Sequence, residues 1–163
     1  CNALSQDYNV LYQCYQMQTS WMLTLFNYDF ERVAEECLKV PENMRAVCFK
    51  SYGRDAAGPT LRNSHKIVEL CAKLKKVSPL EGGSMRGVDY YNECVTGAVN
   101  VIVDFWGEGL RGQASELCSL FPEPHRQTCY ATLAGRLTDV FSDINERQEV
   151  CDTFEPAYRS LCH

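Results

Sequence analysis

Ten cysteines are the residues most able to do chemistry in this chain of 163 residues. Their number is even and none belongs to a C-x-x-C pair, which argues against zinc ribbons, thioredoxin-like redox sites and c-type haem attachment. Disulfides are the better interpretation, and they indicate an extracytoplasmic location, either secreted or periplasmic. The positions are Cys1, Cys14, Cys37, Cys48, Cys71, Cys94, Cys118, Cys129, Cys151 and Cys162.

The cysteines recur in a pattern that predicts how they pair. Segments 35–48, 116–129 and 149–162 each have a Glu two residues before a first cysteine and an Arg three residues before a second, and 69–94 is a stretched copy. A helix ending at the first cysteine and a helix opening at the second can bring both within the ~4.4–6.8 Å Cα separation of a disulfide. Ten cysteines permit many other connectivities. The spacing favours Cys1–Cys14, Cys37–Cys48, Cys71–Cys94, Cys118–Cys129 and Cys151–Cys162.

The first cysteine has a second interpretation. Mature bacterial lipoproteins begin with a lipidated cysteine, and a lipid anchor on Cys1 would leave Cys14 unpaired. The even number of cysteines favours a Cys1–Cys14 disulfide instead.

Other residue types with catalytic or metal-binding potential are not arranged for it. His65, His125 and His163 lie in different repeats, and no H-E-x-x-H or G-x-S-x-G motif is present. The glycine-rich segment 82–87 matches no phosphate-binding loop. The sequence therefore predicts a non-catalytic protein with no metal and no cofactor.

The repeated Glu residues could form a carboxylate ladder for a metal ion. One Glu per repeat places them about 10 Å apart, the spacing of packed helices, which is too far to share an ion. Ion pairs with the repeated Arg residues are the simpler expectation. The residues are Glu35, Glu69, Glu116 and Glu149, with Arg45, Arg126 and Arg159.

Composition excludes two classes of partner. The net charge is −5, whereas nucleic-acid binding requires a basic face. No apolar run approaches the roughly 18 residues of a membrane span. A partner protein or further copies of this chain are the expected partners, and a small ligand stays open.

Aromatic residues are dense near the N-terminus and predict an interface there. A repeat array buries its apolar faces only against neighbours, so uncovered ends favour association. Aromatic side chains supply the anchors of many interfaces. The candidate interface residues are Tyr8, Tyr12, Tyr15, Trp21, Phe26 and Tyr28, with Tyr158 and Leu161 near the other end.

The elements that must position these residues are helices. Alternate cysteines recur with a period near 34 residues, the length of a two-helix repeat. Apolar stripes, Asp caps and Gly or Pro breaks predict helices from 14 to 25, 30 to 37, 48 to 57, 61 to 75, 94 to 106, 110 to 118, 124 to 141, 144 to 151 and from 156 onward. Gly58, Pro59 and Thr60 are read as a break.

One interval is longer than the others. The segment 75–89 is predicted to be an inserted loop, preceded by Lys73, Lys75 and Lys76. The basic cluster suits either an acidic partner or a solvated loop.

The period and the cysteine placement resemble disulfide-bridged helical-hairpin repeat proteins, the cysteine-rich relatives of the tetratricopeptide family. The resemblance implies an all-α fold: one domain over 1–163, a short right-handed α-solenoid with units at 14–47, 48–93, 94–128 and 129–163. It also implies protein binding. We therefore expect an interaction or assembly subunit, self-assembly included, and the alternative is a carrier with an apolar pocket between hairpins.

Overall fold

The computed structural model describes residues 1, 3, 7–60, 63–77, 88–105 and 112–162, with only the backbone at 59 and 60. These residues are all-α and contain no strand. Two 3-10 helices span Lys73–Lys76 and Pro156–Cys162. The α-helices are α1 (Tyr8–Leu25), α2 (Phe30–Leu38), α3 (Glu42–Thr60), α4 (Ser64–Ala72), α5 (Tyr90–Asp104), α6 (Gln113–Leu120), α7 (His125–Val140) and α8 (Ile144–Cys151). Most of the predicted insertion, 78–87, lies outside the described residues.

Aspartate caps define where several helices begin. The carboxylate of Asp29 accepts hydrogen bonds from the amides that open α2, as expected from the sequence. Asp7, Asp89 and Asp143 do the same for α1, α5 and α8. Each cap satisfies backbone donors that have no partner inside the helix.

Several predicted boundaries were wrong, and among them α3 and α5 begin at Glu42 and Tyr90 rather than at residues 48 and 94. Helix α1 begins at Tyr8 rather than at residue 14, because Asp7 caps it. Helix α3 runs from Glu42 to Thr60 and passes through the predicted break at Gly58. Pro41 precedes this helix, a position where proline costs no helical hydrogen bond.

The four long helices form the body of the fold. Helices α1, α3, α5 and α7 pack side by side in chain order, and the short helices α4 and α6 also touch. Asn92 meets His125 near the starts of α5 and α7, and Asp104 meets Arg136 near their ends, so these two helices run in the same direction. The right-handed solenoid and the repeat units stay predictions.

All ten cysteines form the five predicted disulfides. Their Cα–Cα distances run from 5.3 Å to 6.1 Å, within the ordinary range. Cys1 pairs with Cys14, as the even number of cysteines favoured. Five intramolecular disulfides are typical of proteins from an oxidising, extracytoplasmic environment.

The repeated Arg residues make the same hydrogen bond in three turns. Each donates its Nε–H to the carbonyl oxygen five residues earlier: Arg45 to Val40 at 3.0 Å, Arg126 to Phe121 at 2.9 Å and Arg159 to Phe154 at 3.2 Å. The expected ion pair of Arg126 with Glu116 is replaced by one with Glu155, 3.4 Å away. These arginines therefore hold the turns between bridged cysteines.

The closest helix contact is between α3 and α5. A Cβ atom at Gly53 would lie 1.9 Å from the carbonyl oxygen of Cys94, and one at Gly97 would lie 1.9 Å from that of Lys50. Only glycine allows two backbones to approach this closely. The centre of the molecule is therefore its tightest region.

Candidate functional site

Helix α1 presents one solvent-facing side that we call the α1 outer face. It consists of the exposed residues Val10, Gln13, Met17, Trp21, Thr24 and Leu25. At about 100° per residue these positions lie opposite the buried residues of the same helix, Tyr15, Thr19, Met22 and Leu23. The face is large and apolar: Trp21 is 69% exposed and Leu25 is 64% exposed.

The α1 outer face carries no charge. Helix α1 is 18 residues long and contains no Asp, Glu, Lys or Arg, although 23% of the whole chain is charged. The hydroxyl of Thr24 donates to the carbonyl oxygen of Ser20, so its polar group is satisfied inside the helix. A neutral face rich in exposed apolar side chains is unusual on a solvated surface and typical of an interaction site.

A polar seam between α1 and α3 fixes which side of α1 faces outward. The buried hydroxyl of Thr19 donates to the carboxylate of Asp55 at 2.5 Å. Arg54 donates to the Gln16 carbonyl oxygen at 2.6 Å and to the Ser20 hydroxyl at 2.8 Å. Rotating α1 would leave these groups buried without partners, which is costly. The seam therefore holds the α1 outer face in solvent.

The turn after α1 holds Tyr28 in a strained conformation. Asn27 and Tyr28 have φ angles of 51° and 61°, in the left-handed region. Asparagine tolerates this region, whereas a bulky residue such as tyrosine is an outlier there. The Tyr28 amide donates to the Leu23 carbonyl oxygen, and its side chain is 61% exposed. Strain of this kind often accompanies function.

The predicted N-terminal interface residues divide into three groups. Tyr8, Trp21 and Tyr28 are exposed. Tyr12 and Phe26 are half-buried, and the guanidinium of Arg32 lies 4.0 Å from the centre of the Phe26 ring. Tyr15 is only 4% exposed, because it lies on the inward side of α1 and packs into the core. Tyr15 is therefore corrected from an interface residue to a core residue.

The predicted residues near the C-terminus are packed against the protein. Tyr158 stacks on Tyr130 with 4.6 Å between ring centres, and its hydroxyl donates to Glu123. Leu161 is half-buried against the core. At this end the protein itself covers these side chains, whereas the sequence predicted that they would be exposed.

Of the six members of the α1 outer face, only Trp21 was among the interface residues predicted from the sequence. Val10, Met17 and Leu25 are aliphatic or thioether side chains, and attention to aromatic residues passed over them. Two signals could have found them: seven residues separate Val10 from Met17 and Met17 from Thr24, and the helix has no charged residue.

His125 is the buried histidine of the described structure. Its Nδ1 lies 2.8 Å from Asn92 Oδ1 and 3.6 Å from Asp89 Oδ2, and its ring packs on Tyr91. Burial lowers the pKa of His125 below the usual 6.5, Lys75 lowers it further, and Asp89 acts in the opposite direction. The contacts join the starts of α5 and α7, which is a structural role.

Within the described residues, no three His, Cys, Asp or Glu side chains are grouped to hold a metal ion. His65 is exposed, and His163 lies outside the described residues. Of the basic cluster, Lys73 forms an ion pair with Glu31 at 3.0 Å.

Two hollows contact the long helices elsewhere. One of about 170 Å³ lies between α3 and α5 and is lined by Lys50, Arg54, Asn100 and Asp104 among others. Another of about 260 Å³ lies between α7 and α8 and includes Arg147 and Gln148. Both hollows combine apolar side chains with charged and amide groups.

Among the described helices, none is both long enough and apolar enough to cross a bilayer. Comparison of the chain with protein-family models, with curated proteins and with solved structures gave no match.

Proposed function

We propose that this protein is a non-catalytic interaction or assembly subunit that docks another protein on the α1 outer face. The observation that carries the proposal is an 18-residue helix without charge whose solvent side is apolar. Such a face gains free energy when covered, because burying each large apolar side chain contributes about 1.5–3 kcal/mol.

The apolar surface is large enough for specific binding. Val10, Met17, Trp21, Leu25 and Tyr28 are between 49% and 69% exposed. Together they offer on the order of 600 Å², near the ~800 Å² that each partner contributes to a standard interface. Trp21 is the natural anchor, because tryptophan is enriched at interface hot spots.

A protein partner suits this face better than a membrane surface. Helices that lie on membranes combine an apolar side with Lys and Arg that meet anionic lipids. Helix α1 offers Gln and Thr beside its apolar residues and no basic side chain, and the chain is acidic overall.

The alternative, a carrier of small apolar ligands, has less support. The hollows lined by Arg54 and by Arg147 include charged and amide groups. An apolar ligand would have to desolvate those groups without pairing them, which costs free energy.

The test is capture from the native source with three baits: the wild-type protein, Trp21→Glu and Ile144→Glu. Trp21 and Ile144 are both 69% exposed and lie on different elements, so Ile144→Glu is the matched control. Disulfides must be kept intact by non-reducing conditions. We expect a protein bound by the wild type and by Ile144→Glu but lost from Trp21→Glu.

Self-association of the bait, measured by light scattering, counts as binding if it shows the same dependence on Trp21. A wild-type protein that neither self-associates nor retains any protein through Trp21 would end the proposal.

A further inference from the structure

We infer that the partner on the α1 outer face is a second copy of this chain, related by a two-fold axis so that α1 packs on α1. The inference rests on the proposed function and names its partner.

Charge is the first reason. Every copy has a net charge of −5, so two copies repel over most of their surfaces. The α1 outer face is an exception because α1 carries no charge, and it therefore meets its own copy without placing like charges together. A two-fold interface requires this kind of self-complementarity, because each residue of the patch meets the same patch.

Helical spacing is the second reason. Val10, Met17 and Thr24 recur every seven residues, and Trp21 follows Met17 by four. Two α-helices pack along a seam of this periodicity, with side chains of one fitting between those of the other. A hollow of about 280 Å³, lined by Ser20, Trp21 and Thr24, lies on this seam and gives room for a side chain of the partner.

The opposite end of the molecule is a poorer partner for α1. Helix α8 has Glu146, Arg147 and Glu149 within eight residues. Asp139 and Asp152 are exposed nearby. Covering these charges with the uncharged α1 would remove them from water without new partners. Head-to-tail stacking of copies is therefore disfavoured against α1-to-α1 pairing.

The geometry of the pair follows from the helix itself. Antiparallel packing sets the positive end of each helix dipole beside the negative end of the other. Met17 lies near the middle of α1 and so near the two-fold axis, and Val10 of one copy lies toward Thr24 of the other.

The apolar surface of the face sets the expected strength. On the order of 600 Å² per copy, with Tyr28 beside the face included, is at the low end of specific interfaces, so we expect a dimer that forms at micromolar concentration. Replacing Trp21 with Glu removes the largest anchor and places a charge in the apolar interface. We expect dimerisation to weaken by roughly 10- to 100-fold.

Sedimentation equilibrium of the full disulfide-bonded chain, at concentrations from about 1 to 100 µM, tests the inference. The wild type and Ile144→Glu are expected to reach twice the monomer mass and stop there, because a two-fold interface closes. Trp21→Glu and Met17→Glu are expected to reach the dimer mass only at roughly 10- to 100-fold higher concentration than the wild type, with a helical circular dichroism spectrum. The second variant covers the case in which the first does not fold.

Three results would overturn the inference. They are a wild type that is monomeric throughout this range, a dimer that both α1 variants form at the same concentration as the wild type, and masses that keep growing with concentration, as head-to-tail stacking gives. A monomeric wild type that still captures a different protein through Trp21 would overturn the inference and leave the proposed function standing.

Discussion

The two ends of the helix array differ in how they are finished. At the N-terminal end, α1 leaves Trp21 and Met17 in solvent and carries no charge. At the C-terminal end, the 3-10 helix Pro156–Cys162 folds back, Tyr158 covers Tyr130, and α8 is charged. Repeat arrays generally need polar caps. Tyr158 therefore covers part of the C-terminal end, whereas the apolar side of α1 stays exposed at the N-terminal end, which supports the proposed docking face.

The largest effect on the free energy of unfolding is expected when one aromatic residue at each end is replaced by Ala. Phe154 is 1% exposed and packs on Tyr130 near the C-terminal cap, so Phe154→Ala should lower the free energy of unfolding by about 3–5 kcal/mol. Trp21→Ala should change the free energy of unfolding of the monomer by less than about 0.5 kcal/mol. Urea denaturation of dilute protein measures both, and equal losses would mean that Trp21 is packed in solution.

The next effect compares the close contact between α3 and α5 with the exposed side of α7. Gly53→Ala would push a methyl group into the backbone of Cys94, so we expect a loss at or above the usual ~1–3 kcal/mol for overpacking. Gly135 on α7 has no atom within 4 Å of a new Cβ, so Gly135→Ala should gain up to about 1 kcal/mol from helix propensity. Thermal denaturation compares the pair. A harmless Gly53→Ala would show that α3 and α5 are farther apart than the structure has them.

A smaller effect tests whether the N-terminal end gives up stability for binding. Tyr28→Asn places a residue that tolerates left-handed φ where tyrosine is strained, so the free energy of unfolding should rise by about 0.5–1 kcal/mol. Binding or dimerisation should weaken, because an exposed aromatic ring is lost. A loss of stability in dilute protein would mean that Tyr28 makes a packing contribution larger than its strain.

The smallest effect concerns pH and His125, which lies between α5 and α7. Its folded pKa is lowered below 6.5 by burial, so the unfolded chain takes up protons first as the pH falls. The contribution of His125 to the free energy of unfolding is fully present above pH 6.5. It is lost as the pH falls from 6.5 through the folded pKa. The His125→Gln variant should lack this loss, measured by urea denaturation at a series of pH values.

Subtracting the variant from the wild type removes opposing contributions. Burial raises the pKa of Glu93, which works in the other direction as the pH falls. A difference between wild type and His125→Gln that grows more favourable to the wild type at acid pH would contradict the His125 assignment.

The sequence determined the helices, their caps and the disulfides, because these depend on local spacing. Asp29 and Asp143 cap helices where they stand before an apolar stripe, and ten-residue turns bring three of the five cysteine pairs together. The continuation of α3 through Gly58 was missed because glycine usually marks the end of a helix, and here the helix passes it.

Only the tertiary structure decided which residues face outward. Tyr15 and Trp21 are aromatic residues of one helix, and the bonds of Asp55 and Arg54 to Thr19, Gln16 and Ser20 turn the first inward and the second outward. Those bonds join residues more than thirty positions apart, so no local pattern contains them. Tyr158 is covered for the same reason: its partners Tyr130 and Glu123 come from α7 and from the turn before α7. Local spacing fixes the elements, and contacts between distant residues select which side chains stay exposed.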